Sequence, residues 1–530
     1  MKKKTMYVTF VALFLSLSLV LSVGLTVFGE SKAGANETLS GKPNLFVNGK
    51  LNDNYFSDLA TYVNDRFYLR QELISLNNLL CAKLFGVSGS DSVVLGKNNW
   101  LFYDSTLDDY LGVNALSERD VFAAANNIRL MQEYCESKGI EFAFMITPNK
   151  NSLYPENMPD LGAANPSLNA NRLHDYLSEW GIGHINLFET FRSEPPLYYP
   201  TDSHWNIKGA ALAADKINAA FGKDSDYYNA PYSTIKNGYT ADLYEMVYPA
   251  FKGGTDEILY GGVWDYTSST PNLRSDSINI KTQSDNTGSI YVYRDSFGGK
   301  LYPFIADSYG SAEFSRNTAY DLSGKDVDFM LIQLVERNIP WLLHYLPIFE
   351  SQKVEVTLPT TTGSGTVTVT ESKGASAPKG YNLWTGSLGV TPDVDSHIYI
   401  NCGDAVYEAL TSRENGFAVY LPEGVNPKSV GFKLKGELVN VATICLSDGT
   451  EEPVVPDVGG EFDEQSYIKA EALIGKSVDE LYKAIGQPIK SAYLPSCIGD
   501  GEDGTLFYNG FAVTTYKEGD LEIVKDVYKE

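Results

Sequence analysis

The spacing of apolar positions changes three times along the chain, and each change predicts a different kind of structure. From Phe56 through Leu59, Tyr62, Val63 and Phe67, and again from Leu73 to Leu84, apolar residues recur at helical spacing, so residues 51–85 read as helix. Val93-Val94-Leu95 and Trp100-Leu101-Phe102-Tyr103 follow as β-type stretches around the turn Gly96-Lys97-Asn98-Asn99. Helix and strand then alternate. Ser117 opens a helix that Gly139 stops, with Asp120 three residues past the cap. Residues 142–147 read as a strand, 171–180 as a helix, 185–188 as a short strand, and 206–221 as a helix with Ala210, Ala213, Ile217 and Ala220 on one face. A strand at 289–294, a helix at 299–309 and an apolar strand at 328–335 complete the pattern, which ends near residue 349. Strands alternating with helices predict a parallel sheet covered on both faces.

From residue 354 the period is two, through 354–358, 366–370, 397–401, 417–421 and 430–434, with Gly, Pro and Asn between. Short punctuated strands predict a β-sandwich-like domain over 352–450. Residues 451–465 are acidic, carry Pro453, Pro456, Gly459 and Gly460, and read as a linker. The remaining 466–530 read as a small α+β module, with a helix at 478–485 ended by Gly486 and Pro488 and strands around 506–508 and 511–516. The predicted fold class is therefore α/β over 45–350, then the β-sandwich-like domain, then the α+β module. About three domains also suit a chain of 530 residues.

The first thirty residues bear on compartment. Lys2, Lys3 and Lys4 precede an uncharged apolar run from 6 to 28, the pattern of an export signal. The run is long enough to span a bilayer, which favours an uncleaved anchor over 1–30 with the rest on the outer face of the cell membrane. Cleavage within the small-residue stretch 31–35 is the alternative and would give a secreted protein. A net charge of −25 argues against nucleic acid, whose phosphates need a basic footprint. The five cysteines match no zinc motif; Cys402 and Cys445 can pair within the β domain, but small buried thiols are the simpler reading.

Two short segments of the α/β part carry chemistry. In Tyr199-Pro200-Thr201-Asp202-Ser203-His204-Trp205-Asn206, an Asp two residues before a His at the mouth of a helix can orient the imidazole. In Tyr293-Arg294-Asp295-Ser296-Phe297-Gly298-Gly299, Ser296 ends a strand and opens a helix. That exposes a hydroxyl at the carboxyl edge of the sheet, beside N–H groups such as that of Phe297, which can hold an oxyanion. Asn149 and Lys150 follow a strand at the same edge and are candidate oxyanion or substrate donors. Trp205 reads as core, Glu336 and Arg337 as a structural pair, and His174, His184, His344 and His397 as structural. No metal-ligand spacing and no cofactor motif appear. Tyr381, Trp384 and Tyr399 of the β domain can face carbohydrate, though a core or spacer role suits them better.

Thr201-Asp202-Ser203-His204-Trp205-Asn206 with Gly209-Ala210, then Arg294-Asp295-Ser296-Phe297, resembles the SGNH-hydrolase-like domain of alginate O-acetyltransferases (the AlgX/AlgJ type) and the related DHHW proteins. Leu95-Gly96-Lys97, Thr147-Pro148-Asn149-Lys150 and Val335-Glu336-Arg337 agree with it, and the resemblance covers residues 45–345 or so. It implies Ser296 as nucleophile, His204 as base and Asp202 as orienting acid. It also implies an acetyl group passing through Ser296 to a polysaccharide hydroxyl, with a multi-pass membrane acyltransferase as donor. The Gly-Asp-Ser of many SGNH enzymes is Arg294-Asp295-Ser296 here. A carbohydrate acetylesterase of the same fold, or a non-catalytic glycan- or protein-binding surface protein, are the alternatives. The last module loosely resembles small β-lactamase-inhibitor-like modules.

Overall fold

The computed structural model describes residue 7 and residues 40–529, except 48–49, 53, 163, 262–263, 271–272, 362–364, 373–376, 448–462, 489, 496–501 and 519–520. The apolar run at 6–28, apart from Tyr7, and most of the linker expected at 451–465 thus lie outside the described residues. No helix among the described residues is long and apolar enough to cross a membrane.

The helix expected at 51–85 is two helices, α1 (Tyr55–Arg66) and α2 (Arg70–Phe85), broken where Leu69 takes a left-handed backbone with φ 62°. Helix α3 (Glu118–Ser137) begins as its sequence predicts, with Ser117 Oγ accepting from the Asp120 N–H. Beyond it lie β1 (Glu141–Thr147), α4 (Leu168–Glu179), β2 (His184–Asn186) and α5 (Ile207–Ala220). Strands β3 (Tyr266–Ser268), β4 (Asn279–Ser284) and β5 (Ser289–Tyr293) lead into α6 (Gly298–Ser308), β6 (Ser311–Ser315) and β7 (Phe329–Val335).

These strands form one seven-stranded sheet in the order β2-β1-β7-β5-β6-β4-β3. The first five are parallel, and the last two pairings, β6-β4 and β4-β3, are antiparallel, so the sheet is mixed rather than wholly parallel. Its central strands read as unbroken apolar runs because both faces are covered; Phe144, Met145, Ile146, Met330, Leu331 and Ile332 are all fully buried. The last two strands toward the β3 edge were not legible as strands, since Tyr266–Ser268 and Asn279–Ser284 are largely polar. Strand β7 lies between β1 and β5, so their carboxyl ends sit side by side.

The following region is one hydrogen-bonded sheet of eight strands, not two facing sheets. Its strands Thr366–Ser372 and Glu437–Ser447 pair in parallel, and Val369, Trp384, Ile398, Val419 and Val430 share a core of their own. Residues 354–358, expected as a strand, do not join it; Leu358 crosses its face against Gly431, where an added Cβ would meet the leucine at 2.5 Å. Cys402 and Cys445 are free thiols. Helices Glu464–Glu471 and Val478–Ile485 pack on a four-stranded antiparallel sheet that ends at Lys529.

Helix α3 joins the first two regions. Buried Asn127 donates from Nδ2 to the Leu342 and Thr411 carbonyls (3.0 and 2.9 Å) and accepts from the Thr411 N–H at 3.0 Å. Nearby, Glu408 accepts from Asn126 (3.0 Å) and Arg129 (2.5 Å) and pairs with His397 at 2.8 Å. Asn127→Leu preserves bulk but strips three backbone groups of their partner. At about 1–3 kcal/mol per buried unsatisfied group, we expect a loss of about 3 kcal/mol or more in urea unfolding. A loss below about 1 kcal/mol would show that the joint does not rest on this residue.

Candidate active site

At the carboxyl edge of the sheet, the turn between β5 and α6 is fixed by Asp295. Its carboxylate accepts from Phe297 N–H (2.9 Å), Gln333 Nε2 (2.9 Å) and Val335 N–H (2.7 Å), tying the ends of β5 and β7 together. Gln333 also donates to Thr147 Oγ1 at 2.9 Å, which brings in β1. Ser296 stands on this turn, and its own N–H has no acceptor among the described residues.

The second arm is the segment before α5. Asn206 caps that helix, its Oδ1 accepting from the Gly209 N–H at 3.0 Å. Position 209 must be glycine for close approach: a Cβ would meet the Leu197 carbonyl at 2.6 Å. Trp205 is fully buried and donates from Nε1 to the Phe297 carbonyl at 3.1 Å, joining the two arms. The core role read for it from the sequence is where it sits.

These arms bring Ser296, His204 and Asp202 together. Ser296 Oγ lies 2.9 Å from His204 Nε2, and His204 Nδ1 lies 2.8 Å from Asp202 Oδ1. Asp202 is buried and also accepts from the His204 N–H (2.8 Å), the Tyr239 hydroxyl (2.9 Å) and the Asp242 N–H (3.1 Å). A second carboxylate, which the sequence did not point to, faces the same imidazole: Asp242 Oδ2 is 3.4 Å from His204 Nδ1. Asp242 accepts from the Ser203 N–H at 2.8 Å and from the Ser203 hydroxyl, which itself lies 3.0 Å from His204 Nδ1. Lys300, one helical turn past Ser296, donates to the Tyr239 hydroxyl at 2.9 Å and lies over the stacked Tyr199 and Tyr239 rings.

Electrostatics follow from this crowding. Burial alone would lower the His204 pKa, but hydrogen bonds and charge from Asp202 and Asp242 outweigh it and raise it to about 9. Burial acts to raise the Asp202 pKa, yet His204 and Lys300 hold its carboxyl well below the usual range. Asp202, His204 and Asp242 also form the one group among the described residues able to hold a metal ion, with ligand atoms within 4.8 Å of one another. A cation there would take the Nδ1 lone pair and leave Nε2 protonated, so metal binding and proton abstraction from Ser296 exclude each other.

The other expected site residues are placed elsewhere. Asn149 donates to Asp109 (3.0 Å) and through its N–H to Glu336 (2.7 Å), a buried polar cluster in which burial raises the Glu336 pKa to about 7. Glu336 therefore bonds to Asn149, and its expected partner Arg337 lies over the Tyr103 ring instead. Lys150 directs its amine to the carbonyls of Tyr199 (3.3 Å), Pro200 (3.1 Å) and Asp202 (2.6 Å), so it shapes the Asp202 segment from behind. The Phe297 N–H is engaged by Asp295, and its ring packs against His204 with centroids 4.8 Å apart.

Residues 93–242 match the family model of the SGNH hydrolase-like domain of acetyltransferase AlgX. This stretch is similar to that domain. The AlgX-type match contains Asp202, His204 and Asp242 and stops short of Ser296. A probable alginate O-acetylase AlgJ of Pseudomonas syringae pv. tomato is 27% identical over 43% of this chain and 56% of its own length. The corresponding Pseudomonas fluorescens protein is 25% identical over 40% of this chain and 52% of its own. The chain thus spans about half the length of these curated relatives. The O-acetyltransferase domain of Pseudomonas putida AlgJ aligns with 47% of this chain and 92% of that domain, at 17% identity and a TM-score of 0.32.

A base with its pKa raised to about 9 is mostly protonated below that pH. Turnover of an activated aryl acetate, measured as kcat/KM, should rise with pH through about 9. Asp242→Asn removes one carboxylate from the imidazole and should move this limb to lower pH. An unchanged limb would show that Asp242 does not act on His204.

Proposed function

We propose that the protein is an exported O-acetyltransferase that acetylates hydroxyl groups of a polysaccharide through an acetyl-Ser296 intermediate. The observation that carries this reading is the hydrogen-bonded line Ser296–His204–Asp202 at a strand end, with Ser296 and His204 reachable from solvent. In the first half, His204 Nε2 takes the Ser296 proton while Oγ attacks the acetyl carbonyl. The tetrahedral oxyanion is held by the unengaged Ser296 N–H. Collapse expels the donor's leaving group, which receives the proton from His204, and leaves the acetyl ester on Ser296. In the second half, an acceptor hydroxyl gives its proton to His204 and attacks that ester, which returns free Ser296 and the acetylated acceptor. Asp202 and Asp242 orient the imidazole and stabilise its charged form in both halves.

The substrate class is drawn from the alginate-acetylating relatives, and the compartment from the basic start and apolar run at 6–28. On this reading the chain is anchored by that run on the outer face of the cell membrane. A membrane acyltransferase supplies the acetyl group, and no cofactor takes part. The domain order read from the sequence, with the α/β unit catalytic and the module at 466–530 serving a partner, belongs to the same reading.

Ser296→Ala should lower hydrolysis of an activated aryl acetate by about a thousandfold or more, with little change in thermal midpoint. Mass spectrometry of the wild type with that ester should find one acetyl group on the peptide containing Ser296. Addition of an oligosaccharide should then yield acetylated sugar; release of acetate alone would make the enzyme an esterase. Activity undiminished in Ser296→Ala would remove Ser296 as nucleophile.

A further inference from the structure

Helix α2 is turned inside out. The residues it buries are polar, Gln71, Ser75 and Asn78, whereas Leu73, Leu76, Leu80 and Leu84 face outward at 38% to 69% exposure. The polar face is bonded in place: Asn78 Nδ2 donates to the Val247 carbonyl (2.7 Å), and Ser75 Oγ accepts from the Ala250 N–H (2.9 Å). Leu69, Phe85 and Val87 extend the outward leucines at both ends of the helix. Of the 24 large apolar side chains exposed among the described residues, 11 fall between Leu45 and Val87, so the exposure belongs to this segment and is not a general property of the surface.

We propose that this face of α2 rests on a phospholipid bilayer. The proposal depends on reading residues 6–28 as membrane-bound. The chain enters the described structure at Ser40, whose N–H donates to Asp65 Oδ2 at 2.8 Å, at the end of α1 and just before Leu69. Only residues 29–39 separate that point from the apolar run, a reach of roughly 40 Å at most. Charge points the same way. The segment 40–90 has five Lys and Arg against four Asp and Glu, in a chain whose net charge is −25. Anionic lipid repels the rest of the molecule and tolerates this face, while the leucines enter the interface. Because the inner face of α2 is bonded to Val247, the last residue of the helix that Asp242 opens, the bilayer contact also sets the height of the active site above the membrane.

The test uses the full chain reconstituted into mixed phosphatidylcholine–phosphatidylglycerol vesicles and floated through a density step. Leu80 is replaced by its photoreactive diazirine analogue, with the same replacement at exposed Leu161 as the reference position. After irradiation, lipid adducts on the position 80 peptide should exceed those at position 161 by roughly tenfold. Floating chain with no excess of adducts at position 80 overturns the bilayer face and leaves the anchor standing. Cross-links from position 80 to a second copy overturn it in favour of a dimer. Failure of the chain to float removes the anchor and this proposal with it. Leu76→Gln with Leu80→Gln should leave aryl acetate turnover unchanged, which shows the chain is folded, and lower protection of α2 from proteolysis on vesicles; equal protection counts against the proposal.

Discussion

A lysine amine without water around it must give its N–H groups to protein oxygens, and Lys150 gives them to the segment that carries Asp202. Carbonyls of Tyr199, Pro200 and Asp202 converge on that buried amine and satisfy it. Burial lowers the Lys150 pKa to about 7, against the pull of Asp242 and Asp202, which favour the charged amine. Because Lys150 lies three residues past the end of β1, the rigid sheet fixes the loop through it. Asp202 can then remain buried beside His204 instead of relaxing toward solvent.

Ser296 is fixed from the opposite side by a different device. Where many SGNH enzymes have glycine, Arg294 donates its N–H to the Ser315 carbonyl at 2.8 Å and sends its guanidinium to the carbonyls of Asp295 and Ser277. Its side chain lies so close to the start of α6 that a Cβ at Gly298 would meet Arg294 Cδ at 2.4 Å. The turn needs a glycine after Ser296, and it keeps its shape because Asp295 ties it to β7. A larger residue at 294 is compatible with the site only while position 298 stays glycine.

Much of this was legible in the sequence because strand ends are legible. The apolar runs that become β1, β5 and β7 marked which residues share an edge, and the cap at Ser117 marked where a helix opens. What an edge position does not reveal is which way a side chain turns. Asn149 and Lys150 were placed correctly on the edge, yet they bond inward, to Asp109 and to the Asp202 loop. Asp242 was missed because an acid at a helix start reads as an ordinary cap, and only folding brings it to His204, 38 residues away in sequence. Helix α2 was read as helical from its leucines, but periodicity gives a face without saying whether that face points in or out.

Two carboxylates around one imidazole shape what the site can do. In the resting state they keep His204 protonated over much of the pH range, which reduces the fraction available as base. During attack they stabilise the imidazolium that forms when the Ser296 proton moves, and that stabilisation acts on the transition state. Lys300, linked to Asp202 through the Tyr239 hydroxyl, limits the excess negative charge that two acids would otherwise impose on a developing oxyanion. The arrangement trades availability of the base for strength, which suits the proposed reaction, in which the acceptor is a sugar hydroxyl. Such an acceptor gives up its proton reluctantly, and the base must be strong at the moment of transfer.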